Sequence, residues 1–329
     1  MIARMHLSPK LILSALVLFV PFLMCTNMGT AEETSFQLLS RNTPLTDLIT
    51  LPTGAENAAA YYLEINKLIA PKTEADLEGM NQRTKDFIMA LLVRGTSQRS
   101  CTFSSVGHPV NSHQQIFSLN QVQALYPVAL LAQCGDVFLK KSEAALTASS
   151  KLHWQNEALA LYEKILIYAH HLEQERLNLS MLLNALDFYK LGLQKFQNFY
   201  TVSKDPQGVE KVKLFLAANE ELGQAIQAKY QTMISIKGDG ETKNVKVNWK
   251  VLIDISRQDQ DPLFRREALF LLGQAYQNFP AATYRDIDML LIKKATPLPK
   301  RSELKNVLKN IAHNDPDPTI TYLAYSYLF

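Results

Sequence analysis

Cys101, His108, His113 and Cys134 together offer two thiolates and two imidazoles, the ligand set of a tetrahedral zinc site. Structural zinc sites space their ligands in close pairs, whereas these four fall at irregular intervals, so no metal is assigned to them. A disulfide between Cys101 and Cys134 accounts for the thiols and leaves the two histidines in water. A second cluster is His170-His171-Leu172-Glu173-Gln174-Glu175. One helical turn separates His171 from Glu175, which would suit a metal. The simpler reading places both imidazoles at the end of a long helix, where its dipole favours a positive charge. A third is the basic run Lys293, Lys294, Lys300, Arg301, Lys305 and Lys309. Such a run can meet a polyanion or an anionic headgroup. Here Asp286, Asp288 and Glu303 interleave and no aromatic residue falls within 293–309, so a solvated face is expected, with no nucleic-acid partner.

No other pattern carries a reaction. The chain has no nucleophile elbow, no dinucleotide fingerprint, no phosphate-binding glycine loop and no His-Glu-x-x-His. With 12 Gly in 329 residues there is little of the chemistry that cradles phosphates on backbone amides. No catalytic residue, cofactor or metal ligand is therefore assigned.

The elements that would position these residues read as almost wholly helical. Residues 54–70 carry Ala58, Tyr61, Tyr62, Ile65, Leu68 and Ile69 at helical spacing, and Pro71 stops them. Thr73 and Asp76 form a capping-box pattern for a helix running through Phe87, Leu91 and Leu92 to Gly95. Residues 96–117 have no period and are expected to be a long loop. Helix resumes near Ser118 with a kink at Pro127, and three amphipathic segments follow at 152–173, 176–200 and 207–232. Alternation of Val245, Val247, Trp249, Val251 and Ile253 after Gly238-Asp239-Gly240 allows a short β-hairpin near 231–247. The fold class expected is all-α, an α-solenoid or irregular helical bundle.

The N-terminus reads as an address. Arg4, His6 and Lys10 precede an apolar run from Leu11 to Met24, and Gly29-Thr30-Ala31 supplies a small-residue cleavage site before Glu32. Residues 1–31 are thus expected to be a signal peptide, and the protein to be exported, periplasmic or envelope-associated. Retention of the segment would give an N-terminal membrane anchor, the only contact with a membrane that this reading allows. A lipoprotein would use Cys25, although Met24 stands where a small residue is usual. Cleavage removes two cations and no acid, so the net charge of +3 falls to +1. It also leaves Cys101 and Cys134 as the only cysteines in an oxidising compartment, which is why they are paired.

The C-terminal region repeats itself. A shift of 56 residues aligns Val251, Leu252, Ile255, Asp259, Asp261, Pro262, Ala268 and Leu272 with Val307, Leu308, Ile311, Asp315, Asp317, Pro318, Ala324 and Leu328, all identities. Each copy reads as helix, Asp-x-Asp-Pro turn, helix, with Asp as cap and Pro in the first turn. The last helix, 317–328, is expected to pack on 303–313. Asp261-Pro262-x-Phe264-Arg265-x-x-Ala268-x-x-x-Leu272 resembles the second helix of a HEAT-type repeat, with Thr321 replacing the arginine in the second copy. Glu157–Leu166 resembles a helix of tetratricopeptide type, and Glu56–Ile69 with Leu91–Cys101 resembles secreted helical proteins. The chain divides into a helical domain at 32–247 and HEAT-like repeats at 248–329. Stacked helix pairs imply an extended binding surface, hence a non-catalytic binding or scaffold protein with a protein partner. The rival reading is an enzyme with its site in a groove beside the 96–117 loop.

Overall fold

The computed structural model describes residues 45–50, 52–103, 121–175, 179–237, 244–278, 283–284, 287–288, 292–293 and 297–328. Eleven α-helices dominate: α1 (Ala58–Ile69), α2 (Glu74–Glu78), α3 (Gln82–Thr96), α4 (Gln121–Glu143), α5 (Ala148–Glu175), α6 (Leu179–Val202), α7 (Pro206–Met233), α8 (Trp249–Gln258), α9 (Pro262–Tyr276), α10 (Arg301–Asn314) and α11 (Pro318–Leu328). Three two-stranded pairings complete the described residues: β1 (Gly54–Asn57) parallel to β2 (Gln98–Ser100), β3 (Ile234–Lys237) antiparallel to β4 (Asn244–Val247), and β5 (Thr283–Tyr284) antiparallel to β6 (Ile287–Asp288). The architecture is all-α, and β3 with β4 supplies the paired strands expected near 231–247. Among the described residues no helix is long and apolar enough to cross a membrane.

Local chemistry sets the helix starts, and it corrects two boundaries. Helix α1 begins at Ala58, not 54, because the Asn57 side chain accepts from the Ala59 N–H at 3.0 Å and caps it there. The same side chain donates to the Thr102 carbonyl at 2.7 Å and accepts from its N–H at 2.8 Å, so residues 54–57 are drawn beside 98–100 as a strand. The loop expected at 96–117 thus opens with β2, and residues 104–120 lie outside the described region. The capping box at Thr73 and Asp76 is present, with both reciprocal bonds at 3.0 and 3.2 Å. It starts only the five-residue α2. Gly79 ends that helix, and Asn81 caps α3 afresh by accepting from Thr84 N–H at 2.9 Å.

Helices α4, α5, α6 and α7 pack in succession. Their connections of three or four residues make each an antiparallel neighbour of the last. Two close approaches need glycine: a Cβ on Gly135 would overlap the Tyr162 ring, and one on Gly273 would overlap Tyr327. The first core gathers Tyr62, Phe103, Tyr162, Phe188, Tyr189, Phe196 and Phe215. The second gathers the hairpin, α8–α11 and one side of α6. Helix α6 serves both, giving Ala185, Phe188, Tyr189 and Leu193 to the first core and Leu179, Leu182 and Leu186 to the second. The packing therefore divides within α6 and α7, upstream of residue 248. Helix α11 packs on α10 as expected, burying Ile320, Leu323, Ala324 and Tyr327, and also on α9. Its other face leaves Tyr322 50% and Tyr325 37% exposed.

Candidate functional site

The repeated Asp-x-Asp-Pro turns build the site from backbone chemistry. Asp259 accepts from the Asp261 N–H at 2.9 Å, and Asp261 in turn accepts from the Leu263 N–H at 2.9 Å. In the second copy Asp315 accepts from Asp317 N–H and Asp317 from Thr319 N–H, each at 2.8 Å. Each carboxylate satisfies the amide two residues on, a local bond that aspartate makes readily. Pro262 and Pro318 then enter the first helical turn, where no amide hydrogen is needed.

Arg265 joins the two turns. Its Nη1 donates to the Asp259 carbonyl at 2.7 Å, within its own repeat. Its Nε and Nη2 donate to the two carboxylate oxygens of Asp315 at 3.1 and 3.2 Å, across to the next. The pair is a bidentate fork, buried on both sides, with the Asp315 side chain 3% exposed. Lys229 of α7 takes the matching role at the preceding turn, reaching Asp259 at 2.6 Å while its ammonium lies 4.0 Å from the centre of the Phe264 ring. Each turn thus receives a cation from a helix that precedes its own helix pair, α7 for the first and α9 for the second. The second copy carries no further arginine: Thr321 stands in its place, and its hydroxyl donates to the Asp315 carbonyl at 3.2 Å, the counterpart of the bond Arg265 makes to Asp259.

Beside this junction opens a groove of about 500 Å³ lined by Gln260, Pro262, Arg265, Pro316, Asp317, Pro318 and Thr319. Three prolines give flat apolar walls. Gln260, Asp317 and Thr319 supply donors and acceptors. Among the described residues no histidine, cysteine, serine or lysine lines it. That inventory can hold an extended segment by shape and hydrogen bonds.

The residues singled out in the sequence fall elsewhere. Cys101 and Cys134 are free thiols in the structure, and the bridge expected between them is not formed. Cys101 is buried beside Tyr62 and Tyr168, whereas the thiol of half-buried Cys134 on α4 is pushed up by burial and by Asp86 of α3. His108 and His113 lie outside the described residues, as do the segment 1–31 with Cys25, and Lys294. Among the described residues no three metal-ligating side chains come together.

His170 and His171 are core residues, which corrects the helix-end reading. The Tyr62 hydroxyl and His171 Nδ1 lie 2.7 Å apart, 109 positions distant in the chain. Burial, then the neighbouring His170, pushes His171 down to about 3, so the ring stays neutral. His170 Nδ1 stands 3.2 Å from the Tyr189 hydroxyl, which donates to Glu173 at 2.9 Å. The basic run is a solvated face where described: Lys293, Lys300, Arg301, Lys305 and Lys309 are exposed.

Sequence reasoning missed Gln260 and Thr319 of the groove, which stand directly beside the repeated aspartates. It also missed a second polar junction, where Tyr162 donates to Asp136 at 2.8 Å and Lys195 reaches the other oxygen at 2.5 Å. No short-range signal exists for that one, since three helices supply it. Comparison with protein-family models, curated proteins and solved structures found no match to the chain.

Proposed function

We propose that the chain is an exported helical-repeat protein of the cell envelope that binds or scaffolds a protein partner without catalysing a reaction. The observation that carries this reading is the groove between two copies of one turn, held in register by the Arg265–Asp315 fork. A rigid, repeated backbone with prolines on its rim offers an extended peptide apolar faces and paired hydrogen-bond groups. The HEAT-like pattern around Arg265 supports the same view, because stacked helix pairs present such surfaces. The leader at 1–31 supports export, with a mature start near Glu32.

A photo-crosslinking residue at Gln260 or Thr319 tests the proposal in the native host's envelope. The expected result is a discrete protein adduct from either groove position and none from Phe87, exposed on α3. Adducts of equal yield from all three positions, or none from the groove, would overturn it. N-terminal sequencing of the recovered protein tests export separately.

A further inference from the structure

The turn between α4 and α5 presents Leu146 wholly exposed to solvent, with Leu152 58% and Val137 51% exposed on the adjoining helix ends. Residues 144–150, Ala-Ala-Leu-Thr-Ala-Ser-Ser, carry no charge. Around this apolar tip stand Lys140, Lys141 and Lys151, all exposed, against the single acid Glu143. Below the lysines an aromatic pair is stacked, Phe138 on Trp154 at 5.5 Å between ring centres. The Lys141 ammonium lies 4.6 Å from the Trp154 ring and 5.3 Å from Phe138. Leu139, Ala158 and Tyr162 lock the hairpin into the first core.

Inward from Leu146 the exposed lysines come next, with Leu152 beside Lys151 on the flank of α5, and the Phe138–Trp154 pair lies below them. An anionic bilayer presents acyl boundary, phosphate and headgroup in the matching order. We propose that this hairpin tip docks on the surface of an anionic lipid bilayer. Leu146 enters the acyl boundary, and the three lysines meet lipid phosphates with Leu152 alongside them at the interface. The dimensions agree: Trp154 lies about 9 Å along α5 from its first residue at ~1.5 Å per residue. Interfacial segments bury their apolar residues about 5–10 Å deep, which brings that indole to headgroup level. The lysines exceed the acids by two within 140–151, and charge complementarity therefore selects an anionic lipid over a zwitterionic one. A wholly exposed leucine in the turn between two helices suits insertion between headgroups.

The test uses the full chain carrying Trp249→Phe, which leaves Trp154 as the only indole. Vesicles of phosphatidylcholine with or without equal phosphatidylglycerol carry a headgroup-level nitroxide lipid as quencher. Trp154 is expected to be quenched in the anionic vesicles and not in the zwitterionic ones. Leu146→Asp with Leu152→Asp should abolish quenching, and each lysine neutralised should weaken binding about fivefold. Phe87→Asp should change nothing. Because the readout is local to Trp154, a retained apolar segment at 11–24 does not imitate it. Equal melting of the variants shows that they are folded, as expected for side chains in water. Quenching that is equal in both lipids, that survives L146D/L152D, or that never appears overturns the proposal. Each of these outcomes is independent of what the groove binds.

Discussion

In the first core His171 and Tyr62 meet from positions 109 residues apart, whereas in the second Arg265 links two turns whose sequences copy one another. The first arrangement centres on the neutral ring of His171. Tyr62, Tyr189, His170 and His171 come from α1, α5 and α6 and bury hydroxyls and imidazoles that three helices must converge to satisfy. The second is ionic, and most of its groups sit within a few residues of a turn. A buried neutral group costs less to desolvate than a charge but fixes geometry only if every partner arrives. A buried charge pair costs more, and in return its loss from one side alone is severe. The two halves therefore have different weak points. The first is sensitive to protonation, the second to removal of one ion.

The largest effect is expected at Arg265. Replacing it with Ala strands the Asp315 carboxylate in the interior and should cost about 3–5 kcal/mol. Lys229→Ala removes the corresponding cation from Asp259, but that lysine is 36% exposed and water takes its place, so the loss should be at or below ~1 kcal/mol. Arg265→Met combined with Asp315→Leu should recover most of the arginine's deficit. Denaturant unfolding followed through Trp249, with Trp154→Phe, reports on this half alone. If Arg265→Ala costs no more than Lys229→Ala, the repeats are not clamped as described. Leu323→Ala on α11 should come next, at ~2–4 kcal/mol, because its side chain is 1% exposed and the facing helices cannot collapse onto the gap. A loss below about 0.5 kcal/mol would show α11 undocked.

The contrast between halves is also a contrast in what the sequence could show. Asp259, Asp261, Pro262 and their copies at Asp315, Asp317 and Pro318 encode turns by contacts two residues long, and repetition makes that signal visible twice. The amphipathic periods of α5–α7 likewise follow from one face of each helix meeting its neighbour. Where sequence reading fell short, the cause was a partner far along the chain. Residues 98–100 form a strand because Asn57 binds Thr102 and Gln98 accepts from the Glu56 N–H at 3.0 Å, forty-two positions away. His170 and His171 look like a helix end until α1 and α6 supply tyrosines. Arg265 was legible as an inner-helix arginine, but its carboxylate partner lies fifty residues on.

Acid should separate the halves. His171 is held neutral at a pKa of about 3 in the fold, against an ordinary value near 6.5 when unfolded. The unfolded chain therefore takes up a proton first as pH falls. The stability that this ring contributes is complete above about pH 6.5 and is lost on the way down toward 3, at up to ~1.4 kcal/mol per pH unit. Asp187 on α6, pushed up to about 6 by burial, opposes this slope over part of the range. The His171 contribution is therefore the difference between the parent and His171→Gln slopes followed through Trp154. Tyr62→Phe leaves Nδ1 without its hydroxyl and should cost ~1–3 kcal/mol at neutral pH. An unchanged slope in His171→Gln would place the acid-sensitive group elsewhere.

The smallest effect concerns the thiols, which among the described residues belong only to the first half. Cys101 is 5% exposed beneath Tyr62, while Cys134 is half-buried on α4 with a thiol pushed up by burial and then by Asp86. A raised pKa leaves little thiolate at neutral pH, so Cys134 should react slowly with a thiol reagent in the native protein. Cys101 should react only when the first core opens, and its labelling rate should follow the unfolding rate seen at Trp154. Cys134→Ser should change stability by less than about 1 kcal/mol, since the side chain is neither bridged nor deeply packed. Labelling of the denatured, unreduced protein decides the matter by counting: beyond Cys25, two thiols should titrate per chain. If none does, the exported protein carries the bridge. A bridge requires the two cysteine Cα atoms to lie within about 7 Å of each other. In that event the first half, and not the ion-paired second, would be the region whose arrangement depends on the compartment it occupies.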